Sequence, residues 1–171
     1  MGRIVAGKDV RKHGSGNIGA SNVARVVGKF WGRFTLILDA AKGSLVVFLA
    51  QVSEISGDHV AWAGVAAVVG HCWSVFLRFR GGKGVATSAG VMAVLAPVAA
   101  LISFVAWLVT YMATRKSSVA SLSGATIMMI LVGLYFPALL MPMSSIFAIL
   151  LFRHRGNIKR ILAGVEIDSK L

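Results

Sequence analysis

The sequence predicts an all-α, polytopic integral membrane helical bundle of about six spans, and three observations predict it. Of the 171 residues, 57% are hydrophobic and only 14% are charged, with mean hydropathy +0.79; soluble domains average about 25% charged residues. Several apolar runs are long enough to cross a hydrocarbon core of about 30 Å. The third observation is where the net charge of +12 sits. The Lys and Arg residues form four clusters: Arg3, Lys8, Arg11, Lys12, Arg25, Lys29 and Arg33; Arg78, Arg80 and Lys83; Arg115 and Lys116; and Arg153, Arg155, Lys159, Arg160 and Lys170. Only Lys42 lies outside them. The intervening turns carry no basic residue: Gln51 to His59 holds only Glu54 and Asp58, and the turns near Pro97 and Pro137 are uncharged. This positive-inside pattern puts every cluster and both termini on the cytoplasmic side. It accounts for the basic balance without nucleic-acid binding.

The elements follow in order. The N-terminal segment is polar and basic with no apolar core region, so no cleavable signal is expected. A first span is predicted from Phe30 to Ala50, then an acidic turn, then a second span from Val60 to Phe79 that ends at Arg78-Phe79-Arg80. Val85 to Met112 as one helix would put Arg115 and Lys116 outside. Splitting it at Pro97 returns them to the cytoplasmic face. The 12 residues from Val85 to Ala96 fall short of the roughly 20 that a span needs, so this piece is expected to be short and packed against protein. Val119 to Phe136 goes out and Pro137 to Phe152 comes back. No repeat stands out, and no strand alternation supports a β-barrel. One membrane-embedded domain over residues 1–171 is expected. The single cysteine, Cys72, allows no internal disulfide and offers no metal cluster.

Four stretches carry chemistry. GSGNIGASN, Gly14 to Asn22, contains a literal G-x-G-x-x-G with Asp39 20 residues after Gly19. A dinucleotide fingerprint needs a buried strand before it, whereas Lys8 to His13 is polar. Asp39 lies inside a span three residues before Lys42, on the same helix face, where mutual neutralisation is its expected role. The second stretch is Arg80-Gly81-Gly82-Lys83-Gly84-Val85-Ala86-Thr87-Ser88. Gly84 follows the lysine where a Walker A loop needs Ser or Thr. Two readings stay open: a flexible basic turn, or an anion cradle of backbone N–H groups, a helix N-terminus and the Lys83 charge. In Thr114 to Ser118 the two serines either cap the next helix or donate to a phosphate. In Arg153 to Arg160, His154 and Asn157 share a helical face; His154 is either a solvated tail residue or part of a site. All four stretches lie on one predicted face and join Gly or small hydroxyl residues to a cation or His. Converging loops of that kind can form one anion-binding cavity at the bilayer surface.

In this order these residues resemble the acyl-phosphate:glycerol-3-phosphate acyltransferase (PlsY) family of bacterial membrane enzymes. The matching stretches are KHGSGNIGASN with Arg25, LDAAKG at Leu38 to Gly43, GHCWSVFLRFRGGKGVATSAG at Gly70 to Gly90, RKSSVAS, and LFRHRGNIKRIL with Gly164 and Glu166 beyond; Val165 stands where the family pattern has Thr. The resemblance implies acyl transfer from an acyl phosphate to sn-glycerol 3-phosphate, the first acylation of phospholipid synthesis, giving 1-acyl-glycerol 3-phosphate and inorganic phosphate. It implies no cofactor and no metal, a bacterial inner-membrane location, and a functional link to a soluble enzyme that forms the acyl phosphate. None of His13, His59, His71 or His154 has an Asp five residues on, so the H-x4-D mechanism of another acyltransferase class is excluded.

The resemblance also implies site residues. Ser15, Arg25, Lys83 and His154 would hold phosphate, with Ser117 or Ser118 and Asn157 completing the pocket. Asn17 and Asn22 would contribute to substrate binding, and the backbone of Gly81, Gly82, Lys83 and Gly84 would wrap the acyl phosphate. His154, Asn157, Ser15 and Arg25 are the catalytic candidates, His154 as general base or as cationic clamp. Family members carry a full apolar helix before the first glycine motif. Gly2 to Gly7 is all that stands for it here, so six spans are expected in place of seven. The rival readings are a small anion transporter or channel with a cationic vestibule, and a non-catalytic lipid-binding scaffold. A transporter calls for intramembrane polar residues along a path to the far side, whereas Asp39 and Lys42 lie near the cytoplasmic end.

Overall fold

A computed structural model describes residues 7–53 and 57–169. A one-turn 3-10 helix at Val10–Lys12 leads into α1 (Ala20–Val26), followed by α2 (Lys29–Val52), α3 (Gly57–Cys72), α4 (Val85–Leu95), α5 (Pro97–Thr114), α6 (Ser117–Tyr135) and α7 (Leu140–Leu162). No strand occurs among the described residues. Five segments in the described residues are long and apolar enough to cross a membrane, and α4 is a sixth, shorter apolar helix. The apolar residues Ile4, Val5 and Ala6, and Glu54 of the acidic turn, lie outside the described residues.

The membrane-spanning stretches are apolar on their outward as well as their buried faces. Val47, Val68, Val91, Val132 and Ile146 are fully buried, while Leu45, Phe48, Leu101, Leu134 and Met141 are exposed on the outside. A soluble protein would not tolerate such a surface, and hydrocarbon covers it at no cost. Pro97 starts α5 at its first turn, as the charge pattern predicts, and Ala96 before it leaves helical geometry. The 11 residues of α4 rise only about 16 Å, too little to span a bilayer alone. Its polar groups are instead covered by protein.

That cover depends on two glycines where α2 crosses α4. A Cβ at Gly43 would lie 2.2 Å from the Thr87 carbonyl oxygen, and one at Gly90 would lie 2.0 Å from that of Ala40. Ser44 Oγ donates to the Gly90 carbonyl at 2.9 Å across the same contact. Small residues that let helix backbones touch are the usual packing device in membranes. Gly90→Ala must push two backbones apart, so we expect a loss of about 1–3 kcal/mol, read as a lowered thermal midpoint in detergent. An unchanged midpoint would remove this contact from the account.

Two boundaries differ from expectation. The second span was expected to reach Phe79, but α3 ends at Cys72. The chain then doubles back: the Gly81 N–H donates to the Cys72 carbonyl at 3.1 Å and that of Gly82 to His71 at 3.2 Å. Arg78 and Phe79 take left-handed φ of 52° and 60° to make the reversal. The last span was expected to stop at Phe152, where apolarity stops, but α7 continues to Leu162. Nothing in RHRGNIKRIL breaks a helix, and the turn comes only at Gly164 with φ +70°.

Candidate functional site

The GSGNIGASN loop is wound around one side chain. Asn22 Nδ2 lies 2.8 Å from the carbonyls of Val10 and Asn17 and 3.0 Å from that of His13. Its Oδ1 accepts from the Ser15 N–H at 2.9 Å and from Arg25 Nη1 at 3.4 Å. Gly14 has φ +60°, and a Cβ there would fall 2.3 Å from Asn22 Oδ1. The Asn22 amide is thus spent on shaping the loop. Asn17 Oδ1 accepts from the Gly19 N–H at 2.9 Å, which sets the start of α1. The loop so fixed holds Ser15, and α1 after it holds Arg25, at the edge of a cavity.

Gly81 and Gly82 serve the second loop from behind. Their N–H groups point back to α3, and their carbonyls accept from Arg153 Nη2 at 2.8 Å and Nε at 3.0 Å. A Cβ on Gly81 would collide with the His71 carbonyl and one on Gly82 with the His71 ring. Neither glycine lines the cavity, and their N–H groups are engaged elsewhere, whereas Lys83 and Gly84 do line it. Gly84 takes φ 89° and opens α4, so the helix N-terminus faces the same space.

His154 and Asn157 share one face of α7, as their spacing predicts, and both are buried. His154 Nδ1 is 2.8 Å from the Leu150 carbonyl. A carbonyl only accepts, so Nδ1 carries the hydrogen and a neutral ring presents the Nε2 lone pair. Lys116, not a serine, is the N-cap of α6. Ser117 Oγ is 3.0 Å from Ser21 Oγ, and Ser118 Oγ donates to Glu166 Oε1 at 2.6 Å.

Glu166 is the residue that sequence reasoning gave no role. After Gly164 the tail folds back beneath the helices and buries this carboxylate. Asn157 Nδ2 reaches Glu166 Oε1 at 2.5 Å, and Arg160 Nε reaches Oε2 at 2.8 Å. Burial alone would raise its pKa, but the bonds from Ser118, Asn157 and Arg160 outweigh that and hold it below the ordinary carboxylate value. The tail is further tied by Arg25 Nη2 to the Asp168 carbonyl at 2.7 Å. One signal was present: Glu166 is the first acidic residue after Asp58.

Lys83 differs from Glu166 in having no carboxylate within ion-pair distance among the described residues. Burial lowers its pKa to about 8; Glu166 opposes the shift, and Arg160, Arg153 and Arg25 add to it. The predicted Asp39–Lys42 pair is present at 2.6 Å, the His71 ring lies 3.5 Å from the same Asp39 oxygen, and Asp39 and His71 line the same cavity as Lys83.

The cavity joining these groups has a volume of about 350 Å³. Ser15, Asn17, Asn22, Arg25, Lys83, Gly84, Ser117, Ser118, His154 and Asn157 all line it, with Arg160 and Glu166. Its other lining residues include Ala100, Phe104, Trp107, Met128 and Met143. Ser117 to Met128 and Met143 to His154 are each eleven residues apart, or about 16 Å along a helix. The wall therefore grades from cationic and hydroxylated to apolar along the helix axes. That is the shape of a site for an amphiphile with an anionic head.

Known proteins are similar to this chain in sequence and in fold. The sequence model of a family described as glycerol-3-phosphate acyltransferase matches residues 1–164. A glycerol-3-phosphate acyltransferase of Pseudomonas fluorescens (strain Pf0-1) is 43% identical over 166 residues, covering 97% of this chain and 88% of the relative. That of Azotobacter vinelandii is 40% identical with the same coverage. The crystal structure of PlsY, an integral membrane glycerol 3-phosphate acyltransferase, in its glycerol 3-phosphate form superposes with TM-score 0.90 at 36% identity, over 98% of this chain and 86% of that one. Its lysophosphatidic acid form superposes with TM-score 0.84 over 90% and 80%. Family match, identity over nearly the whole chain and a shared fold agree: the chain belongs to the glycerol-3-phosphate acyltransferase family.

Proposed function

We propose that the chain transfers an acyl group from an acyl phosphate to the 1-hydroxyl of sn-glycerol 3-phosphate, releasing inorganic phosphate and 1-acyl-glycerol 3-phosphate. The observation that carries this reading is the cavity graded from Arg25, Lys83 and His154 to Trp107, Met128 and Met143. A fatty acyl phosphate is an amphiphile of that polarity. The related PlsY has been crystallised with glycerol 3-phosphate and in a lysophosphatidic acid form, which supports the same acceptor and product here.

In the reaction the glycerol oxygen forms a bond to the acyl carbonyl carbon, and the carbon–oxygen bond to phosphate breaks. The phosphate leaves with that electron pair. Two anions must sit side by side, and Arg25 and Lys83 offset their repulsion. Holding hydroxyl and carbonyl in contact supplies most of the remaining acceleration. The hydroxyl proton goes to the His154 Nε2 lone pair or to a phosphate oxygen of the substrate. Ser15 and Ser117 are hydroxyl donors for the phosphate oxygens, while Ser118 and Asn157 donate to Glu166 and fix that side of the pocket. The four basic clusters support placing the loops and the C-terminus on the cytoplasmic side of a bacterial inner membrane. There a soluble acyl-phosphate-forming enzyme would supply the donor.

The reading is tested with purified protein, labelled glycerol 3-phosphate and three palmitoyl donors. Lysophosphatidate is expected from palmitoyl phosphate and not from the CoA or carrier-protein thioesters. Equal product from a thioester would overturn the donor assignment. The pH dependence provides a second check. Lys83 loses its proton as pH rises through about 8 in the free protein, so kcat/KM should fall above that pH. Lys83→Arg keeps its charge beyond roughly pH 12 and should abolish that limb; a limb unmoved by the substitution would mean another group sets it.

A further inference from the structure

A second cavity, of about 490 Å³, lies against the first and shares Ser15 and Asn17 with it as a common wall. Its remaining charged residues are Arg11, Lys12, Arg80, Arg153 and one acid, Asp9. Asp9 is occupied by Arg11: Oδ2 takes Nη2 at 2.9 Å and Oδ1 takes Nε at 3.0 Å. Lys12, Arg80 and Arg153 have no carboxylate within ion-pair distance among the described residues. Arg153 is half-buried and its guanidinium is fixed, with two nitrogens on the Gly81 and Gly82 carbonyls and its face over the Trp73 ring, 5.5 Å from the centroid. Lys12 and Arg80 are exposed and Arg153 is half-buried. Three cations without a carboxylate partner around one concave space raise the local positive potential and attract a small anion.

From this we infer that the second cavity is a phosphate-binding vestibule, holding a small phosphate dianion in transit to or from the acyl-transfer cavity across the Ser15–Asn17 wall. The inference rests on the proposed reaction for its traffic: glycerol 3-phosphate must enter from water, and inorganic phosphate must leave to it. The binding site itself stands on the cations alone. Arg153 couples the two spaces, since it faces the vestibule while gripping the carbonyls of the loop that carries Lys83.

The test uses radiolabelled orthophosphate in equilibrium dialysis with the full chain in detergent. The Lys12→Gln, Arg80→Gln variant is expected to bind one phosphate per chain fewer than the native protein, and Lys83→Ala is expected to keep the vestibule's phosphate. Equal phosphate binding by the native protein and the Lys12→Gln, Arg80→Gln variant overturns the vestibule. This readout does not depend on acyl transfer, so it can succeed where the proposed reaction fails, and the reverse. Kinetics then separates the two sources of phosphate. If glycerol 3-phosphate is the occupant, the double variant raises its KM by roughly two- to fivefold per cation removed, as for exposed ion pairs, with kcat unchanged. If orthophosphate is the occupant, that KM stays and product inhibition by orthophosphate weakens by the same factor. A variant that changes neither overturns the transit role.

Discussion

Lys83→Ala is expected to lower kcat/KM by about 10² to 10³-fold while leaving the fold intact. Lys83 lies in the cavity wall with no carboxylate partner among the described residues. Its burial pushes its pKa down to about 8. An unpaired, half-buried ammonium is a cost in the free protein, repaid when a phosphate arrives. Removing one partner of a desolvated charge pair typically costs about 2–5 kcal/mol. The sign for stability is opposite. A cation whose folded pKa lies below its unfolded value penalises the fold at neutral pH, and that penalty is relieved as pH rises above about 8. The thermal midpoint of Lys83→Ala should therefore stay level or rise. Loss of activity together with a large fall in the midpoint would make Lys83 a structural residue and contradict this assignment.

Glu166→Ala is expected to do the reverse, destabilising the protein and removing activity as a consequence. Its carboxylate takes the bonds of Ser118, Asn157 and Arg160. Deleting it strands three donors, two of them on buried residues, and releases the tail from the helices. Breaking a buried charged network by removing one member costs about 3–5 kcal/mol. Its folded pKa lies below the ordinary value, so its contribution is full above the unfolded pKa of about 4.3 and is lost as pH falls from there through the folded value. Glu166→Gln keeps the shape but turns a donor toward Arg160, and it should flatten the acid limb of the stability curve. A stable Glu166→Ala protein with normal acid sensitivity would show that the tail is not held this way.

These two residues mark what the sequence can and cannot reveal. Spans were legible because hydropathy and Lys/Arg placement report the bilayer directly, and Pro97 had to split its segment for Arg115 and Lys116 to stay on the basic face. The end of α7 was not legible by the same signal. The apolar run stops at Phe152, but the helix continues to Leu162 because backbone bonding needs no hydrophobic residue. Ser15, Arg25, Lys83 and His154 could be picked out as chemistry-bearing types beside small residues. Asn22, Gly81 and Gly82 have the same appearance in sequence, yet in the fold they shape loops. Only the third dimension shows whether an amide or N–H is already spent. Glu166 was hidden because its partners lie on α6 and α7, and its place follows from a tail that folds back after Gly164.

The central claim is that one cavity holds the acyl phosphate with its head at Lys83 and Arg25 and its chain along Trp107 and Met128. The most direct measurement is a structure of the protein with a non-hydrolysable palmitoyl phosphonate. The account predicts the phosphonate oxygens within hydrogen-bond distance of Lys83 Nζ and the chain between α5 and α6. A phosphonate bound away from Lys83 and Arg25, or a chain lying on the outer lipid-facing surface with the cavity empty, would contradict it.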